Sequence, residues 1–454
     1  MTDTALQSPW AASPRSRVAP VGADPTVPID PNVMSVEFVG KRGALFWLAL
    51  KTGFFTVLTL GIYRFWMKTR LRRWYWSAIR PGGHPMEYTG DPIEKLLGFF
   101  IAVMIMTFYI GIVNLLLMFV SFSVFSSSMV GYVLSFAGVV PLWFYARYRA
   151  RRYVLARTRW RGVRFGLEKG AWGYAIRALW YWALTIISAG ILWPRMTFLL
   201  EKYRTDRTYF GSARLFQGGR WTMLYRAALP FALSGLLLFG AVLWMFWVEP
   251  VFGDSIDSAE FGSMIDQLLE TGTSTAQAQR PERLLVLPFS LAGMLFGAIY
   301  YRWVSKRVMA QHKRADGVQF ASNLSGLRVT LIYVLGNFLS YLVLVIGIGV
   351  LALMAVVMFG LGVMGNAGDL PVLGELAGMS RWAALLAFGA IYLCVFLLWG
   401  VLHNTFVTFP LMRHMALSTQ LTETAGLNQI SQRARDEFAE AEGFAEALDL
   451  GAAI

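Results

Sequence analysis

The chain has 454 residues, 56% hydrophobic and 15% charged, with a mean hydropathy of +0.51, too little charge to coat a soluble globule of this length. A net charge of +14 would point to nucleic acid in a soluble protein, but membrane proteins gather Lys and Arg in their cytoplasmic loops, so no nucleic-acid partner is expected. One cysteine, Cys394, and four scattered histidines, His84, His312, His403 and His414, exclude an internal disulfide framework and a Cys-rich metal site, and no metal or cofactor is expected.

Residues 1–34, rich in Pro, Ala and Ser, hold no apolar core of signal-peptide length and read as a disordered tail. From 35 to about 430 the sequence reads as an all-α polytopic membrane domain. Six apolar blocks, near 95–122, 128–147, 222–248, 284–303, 327–358 and 382–408, are long enough to cross roughly 30 Å of hydrocarbon. Two more, 44–66 and 171–194, carry Lys51 and Arg177 near their middles, where a charge costs a few kcal/mol on insertion scales.

The connecting segments set the orientation. Residues 147–169 hold nine basic side chains against Glu168, and 302–314 hold Arg302, Lys306, Arg307, Lys313 and Arg314. Both belong in the cytoplasm by the positive-inside rule. The acidic segment 249–283 and the loop near 361–380 face the other way. Lys68, Arg70, Arg72 and Arg73 follow block 44–66, and Arg195, Lys202, Arg204 and Arg207 follow block 171–194. Each of these blocks then has basic residues on both sides, so both are expected to be re-entrant or interfacial helices set against the bundle.

The same region repeats. Ser35-Val-Glu-Phe-Val-Gly-Lys-Arg-Gly-Ala44 opens a block ending Thr59-Leu-Gly-Ile-Tyr63, and a Val163-x-Phe165 start opens one ending Ser188-Ala-Gly-Ile-Leu192. A third, weaker copy starts near Val318-Gln-Phe320. A basic or aromatic helix followed by a turn recurs five times, with Gly83, Gly162, Gly211, Gly317 and Gly426 in the turns. The short extended pieces beside these turns fall on the cytoplasmic side and could pair as a small sheet, although runs of three or four residues are weak strand signals.

Phe38 to about Leu97, with Thr59-Leu-Gly-Ile-Tyr63, Trp66-Met-Lys68, Arg70, Arg73-Trp-Tyr75 and Asp91-Pro92, resembles the opening module of the YjgN-like family. These are bacterial inner-membrane proteins built around a domain of unknown function. The later copies extend the resemblance over most of 35–430, though the third lacks the basic helix directly after its first apolar block. The resemblance implies a location and an architecture but no established chemistry.

Lys51 and Arg177 are candidates for binding an anionic solute or lipid phosphate from inside the membrane. The plainer reading has them reaching to an interface. Arg70, Arg73, Arg152 and Lys202, on the basic aromatic helices, are candidates for anionic headgroups at the cytoplasmic face, against simple topogenesis. His403 and Asn404 read as an interhelical hydrogen-bonding pair, and His84 as a turn residue. No buried carboxylate in the six blocks suggests proton or sodium coupling, and no catalytic motif appears, so an enzyme is not expected. The acidic cytoplasmic tail 431–454 offers Phe438, Ala441, Ala445 and Leu448 at helical spacing for a protein partner. The expected function is transport of a small solute or lipid in the bacterial inner membrane, with the C-terminus in the cytoplasm. The alternative is a non-catalytic membrane scaffold or accessory subunit.

Overall fold

The computed structural model describes residues 32–125, 128–245, 285–360 and 381–433. The acidic segment 249–283, the loop near 361–380, nearly all of the N-terminal tail and the helical tail positions Phe438, Ala441, Ala445 and Leu448 lie outside the described residues.

The chain runs five times through one order: a strand, two helical segments, a strand. The first unit is β1 (Val33–Phe38), α1 (Arg42–Leu58), α2 (Arg64–Ala78) and β2 (Ile79–Pro81). The second is β3 (Met86–Tyr88), α3 (Pro92–Phe108) leading through a π-helical turn into α4 (Asn114–Phe125), then α5 (Ser128–Ala156) and β4 (Thr158–Trp160). The third is β5 (Val163–Leu167), α6 (Ala171–Ile187), α7 (Trp193–Thr205) and β6 (Thr208–Phe210). The fourth is β7 (Ala213–Gln217), α8 (Tyr225–Leu243), α9 (Val286–Ala310) and β8 (Lys313–Ala315). The fifth is β9 (Val318–Ser322), α10 (Gly326–Gly360), α11 (Arg381–His403) leading through a second π-helical turn into α12 (Phe409–Leu417), and β10 (Thr419–Thr422).

All ten strands pair antiparallel in one sheet of order β2-β1-β10-β9-β8-β7-β6-β5-β4-β3. The two strands of every unit are neighbours. The end strands β2 and β3 touch across the turn at residues 82–85, so the sheet is a nearly closed barrel. Two of the turns between units have both central residues at positive φ: Arg161 and Gly162 at 52° and 78°, Asp316 and Gly317 at 40° and 84°. That is the type I′ geometry whose twist matches paired strands.

The all-α expectation is therefore overturned by a ten-stranded sheet. Its strands are three to six residues long, too short to show a period of two, and one ladder joins β1 to β10 across almost the whole chain. The expected spans are corrected as well. Among the described residues, four helical stretches are long and apolar enough to cross a membrane: Pro92–Val124, Trp221–Leu243, Gly326–Val350 and Tyr392–Leu417. Blocks 128–147 and 284–303 belong to α5 and α9, which run unbroken into Arg147–Arg152 and Arg302–Arg307; hydropathy had cut each helix where its charge begins. Blocks 44–66 and 171–194 are not single helices. Each is an apolar helix, a left-handed turn and the start of a returning helix.

Those two turns are built alike. After α1, Leu60 and Gly61 take φ of 50° and 95°, and the Gly61 N–H donates to the Thr56 carbonyl at 2.7 Å. After α6, Ala189 and Gly190 take 48° and 86°, and the Gly190 N–H donates to the Thr185 carbonyl at 2.8 Å. Glycine permits such left-handed helix endings at little steric cost. The Thr59 hydroxyl then accepts the Tyr63 N–H at 2.9 Å, and the Ser188 hydroxyl that of Leu192 at 3.2 Å.

Candidate functional site

Three apolar clusters aim the basic helices. Tyr148 on α5, Tyr174 on α6 and Leu200 on α7 pack in one. Phe198 on α7, Ala227 on α8, and Tyr301 and Met309 on α9 pack in a second. Trp303 on α9 packs with Leu324, Val329 and Leu411 in a third. Trp193 lies on Tyr301 with ring centroids 4.4 Å apart. Between these clusters α5, α7, α9 and β8 leave a cavity of about 780 Å³.

Six cations line it: Arg147 and Arg151 from α5, Arg204 from α7, Arg302 and Lys306 from α9, and Lys313 from β8. The pairs on α5 and α9 are four residues apart, the spacing that puts side chains on one helix face. One carboxylate, Glu201, stands among them. Lys313 donates to it at 2.8 Å, Arg204 also bonds it, and Arg151 lies 3.7 Å away. Burial alone would raise the Glu201 carboxyl, but Lys313, Arg204 and Arg151 hold it well below the usual range.

Glu201 is thus shared by three cations. Arg147, Arg302 and Lys306 form no ion pair among the described residues. Buried Nε atoms of Arg147 and Arg204 lack a hydrogen-bond partner. Lys306, like Arg302, lines the cavity walls with its side chain exposed to solvent. Desolvation by those walls, with repulsion from Arg302, pushes its ammonium down to about 8. Crowded cations with spare donors in a walled recess are what an anionic group would satisfy.

A second space, the barrel lumen, adjoins this one. It measures about 290 Å³ and takes at least one lining side chain from every strand. Inward residues face one another across neighbouring strands, as in Met86–Trp160, Phe165–Phe210 and Phe320–Leu421. Met412, Met415 and Ala416 of α12 line its helix end. At the turn end, residues 423–433 cross the mouth as a strap and insert Leu427 and Ile430. The strap is tied at one side by the Thr424 N–H to the Asn32 carbonyl and at the other by the Ser212 N–H to the Ser431 carbonyl, at 3.3 and 2.9 Å.

The six residues singled out from sequence do not meet in either space. Lys51 is exposed on α1, and Arg177, exposed on α6, donates to its own Gly173 carbonyl at 3.0 Å and lies over Tyr203. Arg70 and Arg73 are exposed on α2, Arg73 donating to the Gly90 carbonyl at 2.9 Å. Arg152 is buried on α5. Lys202 pairs with Asp206 at 3.2 Å and donates to the Gln217 carbonyl at 2.9 Å. Asn404 donates to the Gly400 carbonyl of its own helical stretch at 2.8 Å. His84 accepts the turn role, its Nδ1 lying 3.0 Å from the Gly82 carbonyl.

The cavity residues carry a faint sequence signal: basic pairs at i and i+4 on α5 and α9, and Glu201 beside Lys202 and Arg204 in a basic segment. Their convergence is a product of the barrel. Compared with known proteins, residues 33–350 match a family model described as a bacterial protein of unknown function (DUF898), from β1 into α10. No curated protein and no solved structure matches the chain.

Proposed function

The chain belongs to this family of bacterial proteins of unknown function, and on that premise we propose that it is a multi-pass inner-membrane carrier of an anionic small solute or lipid. The observation that carries the reading is the cavity lined by six cations, three of which share Glu201. Uncompensated cations in a recess favour an anionic ligand over a neutral or cationic one.

The membrane placement rests on the four long apolar helices and on the two hairpins. The hairpin tips are apolar and open, with Leu60 and Ile187 each 81% exposed, a surface suited to a lipid leaflet. In this reading the barrel and its basic segments face the cytoplasm, as the positive-inside rule favours. The five strand–helix–helix–strand units are duplicated modules.

Reconstitution tests the function. Purified full-length protein in liposomes is expected to move a common inorganic anion or a labelled anionic lipid, and Lys306→Gln is expected to slow it. No movement of ions, anions or lipids, together with a protein that co-purifies stoichiometrically, would replace the carrier with the scaffold. Single cysteines at 41, 80, 155 and 210 in a Cys394-free variant test orientation. All four are expected to be shielded from an external impermeant thiol reagent, and labelling at 80 from outside would reverse the placement.

A further inference from the structure

We propose that the barrel lumen is the tail half of a site for a single-chain anionic amphiphile, such as a fatty acid or a lysophospholipid, whose head lies in the cationic cavity. This rests on the reading of that cavity as an anion site and specifies its ligand class.

The lumen wall is apolar apart from Thr419 and the indole N–H of Trp160, and the Thr419 hydroxyl already donates to the Met415 carbonyl at 2.8 Å. A buried water needs two to four polar partners, which this wall does not offer, and apolar cavities of roughly 150 Å³ stay dry and take up hydrocarbon. A lumen of about 290 Å³ lies near the lower limit of small-ligand sites, roughly 300–1,000 Å³. It has room for one acyl chain and not for two.

The direction of entry follows from the two ends. Leu427 and Ile430 of the strap close the turn end. At the helix end, Met415 and Thr419 line the lumen and the cationic cavity alike. The charged neighbour of the lumen is therefore the cavity with Arg147, Arg302 and Lys306, which form no ion pair among the described residues. A free inorganic anion leaves the lumen unused, and a neutral hydrocarbon leaves the cations unsatisfied. A ligand with one anionic head and one chain satisfies both.

The test uses full-length protein in nanodiscs of zwitterionic lipid, with protein-free nanodiscs subtracted, titrated calorimetrically with lysophosphatidate, glycerol 3-phosphate and monoacylglycerol. Each buried methylene is worth about fourfold in affinity, so lysophosphatidate is expected to bind at least about a hundredfold tighter than glycerol 3-phosphate. Its binding should show the more negative heat-capacity change of apolar burial. Ala315→Phe, which fills the lumen, should remove most of that gain and leave glycerol 3-phosphate affinity unchanged. Leu215→Trp is the second filler should the first not fold.

If glycerol 3-phosphate binds and the chain adds nothing, or the gain survives in a folded filler variant, the lumen proposal falls and the anion site stands. Monoacylglycerol binding as tightly as lysophosphatidate would also overturn the coupling of head and tail. If neither phosphate ligand binds, the anion reading of the cavity falls, and the proposal with it.

Discussion

Arg72 follows Thr59 by thirteen residues in the first hairpin, and Glu201 follows Ser188 by the same interval in the third unit. Around both, the scaffold is the same: a left-handed turn at glycine, a hydroxyl that accepts the next helix's N–H, and a threonine 3.7 Å from a methionine sulfur, Thr56 to Met67 and Thr185 to Met196. What surrounds the two residues differs. Arg72 is buried, donates to the Tyr88 hydroxyl at 3.2 Å and lies over that ring. Beside it Lys95 is 1% exposed, held by the Thr69 hydroxyl at 3.3 Å and the rings of Tyr88 and Tyr153. In the third unit the same position carries a carboxylate that gathers cations from α5, α7 and β8 around open space. Aromatic faces lie beneath cations in both places, as with Arg204 over Tyr174 and Lys306 over Trp303, but only the third unit adds a shared acid and an open cavity. One residue class at one register position separates a filled core from a candidate binding site.

The largest effect should come from breaking the acid. Glu201→Gln leaves Lys313, Arg204 and Arg151 uncompensated and is expected to cost about 3 kcal/mol in reversible unfolding. Arg72→Met, at the matched position, removes a hydrogen bond to the Tyr88 hydroxyl and should cost about half as much. Equal losses would break the comparison. The pH dependence has a definite sign. The Glu201 carboxyl is depressed in the folded state, so its stabilisation is present above the unfolded value, about 4.3, and is lost as pH falls through the lower folded value. Acid unfolding of the Glu201→Gln variant should lack that component.

Lys306 comes next. Its ammonium loses its proton near 8, so anion affinity should weaken as pH rises through that value. The arginines of the cavity keep their charge, so the loss should be roughly tenfold rather than complete. Lys306→Arg, which stays charged, should flatten the profile, and an unchanged profile would remove Lys306 from the site.

The smallest effects concern what the hairpins share. A Cβ at Gly61 or Gly190 meets nothing within 4 Å, so alanine at either position adds backbone strain alone, about 1 kcal/mol each. The two losses should match in thermal unfolding. A large inequality would show that the turns are not equivalent.

That shared scaffold was the part most legible in the sequence. Thr59-Leu-Gly-Ile and Ser188-Ala-Gly-Ile mark the turns, and the five glycine-containing turns after basic helices mark where the strand-bearing segments lie. The turn register also corrects a pairing: Lys51 aligns with Trp180, and Arg177 with Leu48, so their similar positions do not make them equivalent. The sheet was not legible, because strands such as Ile79–Pro81 and Thr208–Phe210 are too short to carry a pattern of their own. The cavity was hidden for the same reason. Arg147 and Lys313 lie far apart in sequence, and only the order of strands in the barrel brings α5, α7 and β8 to one place.

The most direct test sets the cavity cations against the outer ones. Glycerol 3-phosphate is titrated into the full-length protein carrying Arg302→Gln with Lys306→Gln, and into protein carrying Arg70→Gln with Arg73→Gln. Loss of two charges in the cavity should weaken binding by roughly tenfold or more, and loss of the exposed α2 pair by less than about twofold. If the α2 pair carries the affinity, or neither pair changes it, the cavity is not the anion site.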